Sequence, residues 1–193
     1  MKNILILYYS RKGSTHSLAN HAARGVEAAG LEASIRTLPS IPLDNNKELE
    51  TQAKEGAPFA SLNDLKECNG LLLGSPTRFG NMAAPVKLFL DTTSSIWLEG
   101  SLIDKPFGVF TSSNSMHAGQ ETTLLTMAIP LIHHGMIWVG LPYTEKSLKN
   151  TKTGGSPYGA SHVALDWNKS LSDDEKKLAF CLGKRVATLA SKL

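Results

Sequence analysis

The sequence has little cysteine and no long hydrophobic run, and each absence narrows the possible functions. Cys68 and Cys181 are isolated and do not show the spacing of a metal or redox site. We therefore expect two buried thiols rather than a disulfide, which favours the reducing cytoplasm. The longest apolar runs, such as residues 4–9, are far too short to span a membrane, and no secretory signal is apparent. We expect a cytoplasmic protein with no integral membrane association.

The chain also carries little net charge. Its net charge is +3 and no basic run exceeds two residues, whereas nucleic-acid-binding surfaces are usually strongly basic. We therefore expect no nucleic acid as the main partner. The 193 residues, 41% of them hydrophobic, suit one domain, 1–193, with a full core. The histidines and cysteines show no metal-ligand spacing, so no metal is expected.

Apolar runs alternate with helical patterns along the whole chain. The apolar runs predict five strands, at Lys2–Tyr9, Glu32–Leu38, Gly70–Ser75, Pro106–Thr111 and Met136–Leu141. Strands separated by helices imply right-handed crossovers and a parallel sheet covered on both faces. The pattern therefore predicts an α/β fold, a doubly wound five-stranded sheet of flavodoxin-like order 2-1-3-4-5.

Helical patterns lie between these strands and at the end of the chain. We expect helices at Thr15–Ala29, Pro85–Thr92 and Glu121–His134, the last kinked or split by Pro130. A capping box at Ser172–Glu175 predicts a final helix that runs nearly to residue 193.

Two long segments show neither pattern. Pro39–Ser61 is expected to be an irregular surface excursion, and Pro142–Ser161 a mobile, glycine-rich loop.

The loop Ser10–Thr15, between the first strand and the first helix, suits a phosphate. A strand that feeds a helix start leaves backbone N–H groups unpaired at the positive end of the helix dipole. Ser10, Ser14 and Thr15 add hydroxyl donors, and Gly13 lets the backbone approach closely. The spacing matches neither a triphosphatase loop nor a dinucleotide fingerprint, but it suits the phosphate of flavin mononucleotide (FMN). The alternative is a polar turn that merely caps the helix.

Two further loops fall at the same predicted edge of the sheet, where ligands bind in such folds. Pro76–Asn81 offers backbone donors, a ring and a cation, and Ser112–Gly119 is small and polar, suited to the edge of a flat heterocycle. Arg78 would favour flavin reduction by stabilising negative charge, although it is equally typical of a solvated loop. Phe79 and Trp97 are candidates to wall a planar ligand, and Trp97 alternatively anchors a core or an interface.

His133 and His134 are adjacent in a predicted helix, so their side chains diverge by about 100° and do not readily share a metal. We expect one to be structural and one to face a site, where it would donate a hydrogen bond or proton.

Several motifs together resemble one family, the WrbA-type flavodoxin-like NAD(P)H:quinone oxidoreductases. The matching strings run in order along the chain: Tyr8-Tyr9-Ser10, Pro76-Thr77-Arg78-Phe79-Gly80-Asn81-Met82, Phe89-Leu90-Asp91-Thr92-Thr93, Gly119-Gln120-Glu121, His133-His134-Gly135-Met136 and Gly155-Ser156-Pro157-Tyr158-Gly159-Ala160. The resemblance implies an enzyme that uses NADPH or NADH as electron donor and a quinone as acceptor, in ping-pong order through one flavin-facing slot. It also implies a homotetramer with active sites near subunit junctions.

The resemblance assigns residues to roles. It implies that Trp97 lines the substrate side and that Lys12 contacts the nicotinamide cofactor. From the residues themselves we expect Phe79 to share the substrate wall and His133 to be the catalytic contact. The residues expected to bind the cofactor are Ser10, Arg11, Lys12, Gly13, Ser14, Thr15, Pro76, Thr77, Arg78, Phe79, Ser112, Ser113, Asn114, Ser115, Met116, His117 and His133.

The chain departs from the family pattern in two of these loops. The third loop is usually glycine-rich, but here Asn114, Ser115, Met116 and His117 replace that run. Lys12 stands where the family usually has an aromatic residue, and it would favour the extra phosphate of NADPH. The alternative function is a flavodoxin-like electron carrier, which the slightly basic composition disfavours because such carriers usually dock through acidic surfaces.

Overall fold

A computed structural model of the protein describes residues 2–42, 56–165 and 170–193. One parallel sheet runs through it in the order β2-β1-β3-β4-β5, with β6 also paired to β4. The predicted strand order is therefore confirmed. The strands are β1 (Asn3–Tyr8), β2 (Glu32–Thr37), β3 (Gly70–Pro76), β4 (Pro106–Ser113), β5 (Ile137–Trp138) and β6 (Ala160–Val163).

Helices pack on both faces of this sheet. They are α1 (Ser14–Glu27), α2 (Leu62–Glu67), α3 (Ala84–Asp91), α4 (Ser94–Leu98), α5 (Gln120–His133), α6 (Lys146–Asn150) and α7 (Asp173–Lys192). Ile4 and Ile6 of β1 point to one core with α1 and α7, whereas Leu5 and Leu7 point to the other with α3 and α5. Successive side chains of a strand alternate between faces, so a strand buried on both sides is a continuous apolar run.

The last strand position differs from the prediction. Only Ile137–Trp138 of the predicted strand Met136–Leu141 pairs with β4, at its first two residues. The far end of β4 pairs instead with β6, which begins within the segment Pro142–Ser161 that was predicted to be a loop. That prediction is wrong for β6 and for α6. The apolar pattern does not reveal β6, because Ser161 and His162 are polar although both are buried.

Three other local predictions need correction. The sequence interpretation missed α2, although Ser61 and Asp64 form a capping box at its start, and it missed α4. Of the kink or split predicted at Pro130, the split is wrong, since α5 runs through Pro130 as one helix. Much of the predicted excursion Pro39–Ser61 lies outside the described residues.

A buried hydrogen-bond network joins the start of α7 to the edge of the sheet. His162 Nδ1 lies 2.9 Å from Glu175 Oε2, and both residues are 1% exposed. Glu175 also accepts hydrogen bonds from the N–H groups of Gly154, Val163 and Ser172 at 2.8 to 3.0 Å. Burial alone would raise the pKa of the Glu175 carboxyl, but the bonds from His162, Ser172 and Val163 outweigh it and lower the pKa to about 2. One carboxylate therefore holds together β6, α7 and the loop before β6.

Replacing Glu175 by glutamine should lower the free energy of unfolding by about 2 to 3 kcal/mol at neutral pH, because charge-assisted bonds to buried donors are lost. The pKa of this carboxyl is lower in the folded chain than its ordinary value of 4.5. Its stabilisation is therefore complete above about pH 5 and lost as the pH falls towards 2. Urea unfolding of wild type and Glu175→Gln should converge over that range, with the exposed Glu27→Gln as control. A difference in the free energy of unfolding between wild type and Glu175→Gln that stays constant down to pH 3 would contradict this account.

Candidate functional site

A cavity of about 740 Å³ opens where β1, β3 and β4 end. Its volume lies within the range of about 300–1,000 Å³ typical of small-molecule sites. The residues that line it are Ser10, Arg11, Lys12, Ser14, Thr15, Pro76, Thr77, Arg78, Phe79, Gly80, Ser112, Ser113, Asn114, Ser115, His117, Ala118, Gly119 and Ala164. The structure thus brings together every residue predicted to bind the cofactor except Gly13, Met116 and His133.

The first loop leaves the start of α1 without a side-chain cap. Gly13 is the N-cap residue, with φ of 96°, a left-handed conformation that glycine adopts without strain. The Ser10 hydroxyl accepts the Gly13 N–H at 3.0 Å, so it shapes the loop instead of capping the first turn. No side-chain hydrogen bond caps α1. This geometry favours an anion site over the alternative of a helix-capping turn.

Hydrogen bonds connect the three loops directly. The Thr15 and Ser112 hydroxyls lie 2.9 Å apart in a buried contact, and the Thr77 N–H donates to the Ser112 carbonyl at 2.9 Å. The Thr77 hydroxyl donates to the Ala118 carbonyl at 3.1 Å and accepts from Thr123 of α5 at 2.8 Å. The cavity wall is therefore one cross-linked unit.

The second loop presents an aromatic ring at the cavity. The backbones of Arg78 and Asn81 exchange hydrogen bonds at 2.8 and 3.0 Å, and both residues between them have positive φ, Phe79 at 53° and Gly80 at 76°. Two left-handed central residues define a type I′ turn, which is strained for phenylalanine. The Phe79 side chain is fully exposed. A strained, exposed ring beside a cavity suits contact with a planar ligand or with a second chain.

The charge on the cavity wall has one sign. Arg11, Lys12 and Arg78 line it together with His117, and no carboxylate is among the described lining residues. Arg78 Nη1 donates to its neighbour's carbonyl, that of Thr77, at 2.8 Å. Hydroxyls, unpaired helix N–H groups and cations are the donors that a phosphate ester requires, so the residues present fit FMN.

His133 and Trp97 line a different cavity, of about 490 Å³. The Trp97 indole N–H donates to the His133 carbonyl at 2.9 Å, and both side chains are exposed. His134 is buried and lies 2.9 Å from the Thr93 hydroxyl, and burial lowers its pKa. Of the two histidines, His134 therefore has the structural role. Within one chain, the geometry does not bring His133 or Trp97 to the wall of the first cavity.

Met116 was predicted to line this cavity but lines a neighbouring cavity of about 350 Å³.

Several residues that do line the cavity were not predicted. Ala164 follows β6, which the sequence interpretation missed, and its N–H donates to the Ser113 carbonyl at 2.7 Å. Gly119 lies against Gly80, since a Cβ on Gly119 would come within 2.8 Å of the Gly80 Cα. The presence of Gly80 in the second loop and Gly119 in the third loop was a sequence signal for this close approach.

Two other kinds of feature are absent from residues 2–42, 56–165 and 170–193. No three histidine, cysteine, aspartate or glutamate side chains there are grouped to hold a metal. No helix in this part of the chain has the length and apolar character to cross a bilayer.

Known proteins resemble this chain along its full length. It is 40% identical over 197 residues to an NAD(P)H dehydrogenase (quinone) of Gluconacetobacter diazotrophicus, covering 100% of this chain and 99% of the relative. A protein of the same name from Geotalea uraniireducens is 42% identical over 199 residues, covering 98% of each.

Solved structures agree with these relatives. A WrbA-like flavodoxin protein from Agrobacterium tumefaciens has a TM-score of 0.69 at 25% identity and covers 100% of this chain and 99% of its own. Flavodoxin 2 from Bacillus cereus, with a TM-score of 0.61 at 16% identity over 99% of each chain, shows the same fold. The WrbA-type resemblance of the motifs is thereby confirmed. Residues 2–145 match the family described as NADPH-dependent FMN reductase, and the chain belongs to that family.

Proposed function

We propose that the protein is an FMN-dependent NAD(P)H:quinone oxidoreductase. The observation that carries this proposal is the cavity at the uncapped start of α1, whose described lining residues offer hydroxyls and cations and no carboxylate. The names of the full-length relatives support the same activity. FMN, when bound, would supply the chemistry of accepting a hydride from NAD(P)H and passing two electrons to a quinone.

The residues of the chain would bind and orient this cofactor. Ser10, Ser14 and Thr15 would hold the phosphate with the first-turn N–H groups of α1. Thr77 and the third loop, residues 112–119, would hold the flavin ring, and Arg78 would stabilise negative charge near it. Because one cavity would serve donor and acceptor in turn, we infer ping-pong kinetics.

We further propose that His133 and Trp97 act on the site of a neighbouring copy in a homotetramer. They line a separate cavity of their own chain, beside an apolar stripe on α5 formed by Leu125, Ile129 and Ile132, all exposed. Residues at positions i, i+4 and i+7 share one helix face, and an unpaired apolar face of this kind is typical of an interface. His133 would then donate a hydrogen bond or proton to a bound quinone, and Trp97 would wall it with Phe79.

We also place this activity in the cytoplasm. Both cysteines are free thiols, and burial raises the pKa of Cys68 to about 11, so this thiol is inert.

Anaerobic titration of the FMN-loaded protein with NADPH is the direct test of function. We expect the oxidised flavin spectrum to bleach fully and to return when benzoquinone is added. Reduction only by a chemical reductant, in separate one-electron steps and with neither NADPH nor NADH effective, would contradict the enzyme and favour the electron carrier.

Lys12 is expected to make NADPH a better donor than NADH. Lys12→Met removes the charge but keeps most of the stem, and should lower the NADPH-to-NADH ratio of kcat/KM by about fivefold, since an exposed ion pair contributes up to about 1 kcal/mol. The control is Lys177→Met, on the exposed side of α7. Raising the salt concentration should also reduce the wild-type preference. An unchanged ratio in the variant would remove Lys12 from this role.

Disrupting the α5 stripe should dissociate the tetramer. Ile129 is 54% exposed, so Ile129→Glu should be tolerated in a lone chain but not in an apolar interface. Sedimentation velocity should show a tetramer for wild type and a smaller species for the variant, with lower quinone turnover. Leu193→Glu, at the exposed end of α7, is the control. A wild-type monomer, or an Ile129→Glu tetramer, would contradict the assembly.

A further inference from the structure

The side chain of Gln120 holds the third loop from outside the cavity. Its Nε2 lies 2.8 Å from the Ser113 hydroxyl and 2.7 and 2.8 Å from the carbonyls of Ser115 and Met116. Its Oε1 accepts the Ala118 N–H at 3.2 Å. A single amide group therefore contacts four residues of the loop, although Gln120 does not line the cavity itself.

Little else fixes the middle of this loop. Residues 114–117 are exposed, so they have no core packing to hold them. The Ser113 hydroxyl, which accepts from Gln120, donates to the Ser115 carbonyl at 2.9 Å and thus belongs to the same network. The Thr77 bond fixes the loop only at Ala118. Gln120 is the main restraint on the residues between.

This network also sets the direction of two peptide N–H groups. The N–H and C=O of a planar trans peptide point in opposite directions. Because the carbonyls of Ser115 and Met116 turn towards Gln120, the N–H groups of the following residues, Met116 and His117, point away from it. Neither has an acceptor within the described part of the chain. Of these two residues only His117 lines the cavity, so its N–H is the preoriented donor available to a ligand there.

We propose that Gln120 is a positioning residue for the flavin, an inference that rests on the proposed function. It holds the third loop so that the N–H group of His117, which lines the cavity, donates to the pyrimidine edge of the ring. Negative charge develops at that edge on reduction, and fixed donors stabilise developing charge. Gln120 thereby sets both the affinity for FMN and its reduction potential.

Gln120→Glu isolates this role because it changes one atom of the side chain. The carboxylate keeps an oxygen for the Ala118 N–H but loses both hydrogens, and its charge faces the carbonyls of Ser115 and Met116. Glu121→Gln is the matched control, an opposite charge change at the next, exposed position of the same helical turn. Gln120→Ala removes the network without adding charge.

Two measurements on the whole protein test the proposal. Quenching of FMN fluorescence by the FMN-free protein gives the dissociation constant, and equilibration with a dye of known potential gives the midpoint potential. We expect Gln120→Glu and Gln120→Ala to weaken FMN binding about tenfold or more, the effect of losing well-placed hydrogen bonds. Both should also lower the potential and speed amide exchange over residues 114–117 in the FMN-free form, whereas Glu121→Gln should stay within about twofold of wild type.

The outcomes distinguish the positioning role of Gln120 from the proposed function. Wild-type affinity and potential in both Gln120 variants would overturn the positioning role while leaving the proposed function intact. Shifts of similar size but opposite sign in Gln120→Glu and Glu121→Gln, with none in Gln120→Ala, would reduce the effect to charge and also overturn it. Failure of the wild-type protein to bind FMN would overturn the proposed function and this inference together.

Discussion

The parallel pairing of β1, β3 and β4 is the constraint on which the candidate site depends. Parallel strands end at one edge of a sheet, so three loops far apart in the sequence meet there. Their meeting point is Ser112, whose hydroxyl contacts Thr15 and whose carbonyl accepts from Thr77. A strand shifted by one residue would exchange its two faces and break these contacts together. The shape of the cavity therefore depends directly on the register of the sheet.

The C-terminal part of the chain supports the same edge from the other side. β5 pairs only with the start of β4, which leaves the end of β4 to β6. β6 holds two polar residues, and its stability there depends on the buried bonds from His162 and Val163 to Glu175. Helix α7 thus stabilises the strand that lies next to the start of the third loop. The Glu175 carboxylate therefore links the packing of α7 to the strand beside the cavity.

Sequence patterns predicted those features that depend on periodicity and local chemistry. Continuous apolar runs gave the strand order, and small polar residues after three strands gave the loops of the site. Patterns did not predict β6, because burial of Ser161 and His162 requires a partner, Glu175, on a distant helix. They did not predict the role of Gln120 either, since its bonds form only when the loop folds back over the start of α5. The missing information concerns contacts between side chains and backbone, which have no periodicity.

The third loop shows how one departure from the family pattern and one side chain fit together. A glycine-rich loop is free in φ and gains order only when its ligand binds, at a cost in conformational entropy. Here Asn114, Ser115, Met116 and His117 restrict the backbone, and the Gln120 amide fixes two of its carbonyls. Such a loop has much of its order before the ligand arrives, which favours binding. We infer that the substitutions exchange adaptability for preorganisation, with Gln120 selecting the conformation that leaves the His117 N–H available as a donor.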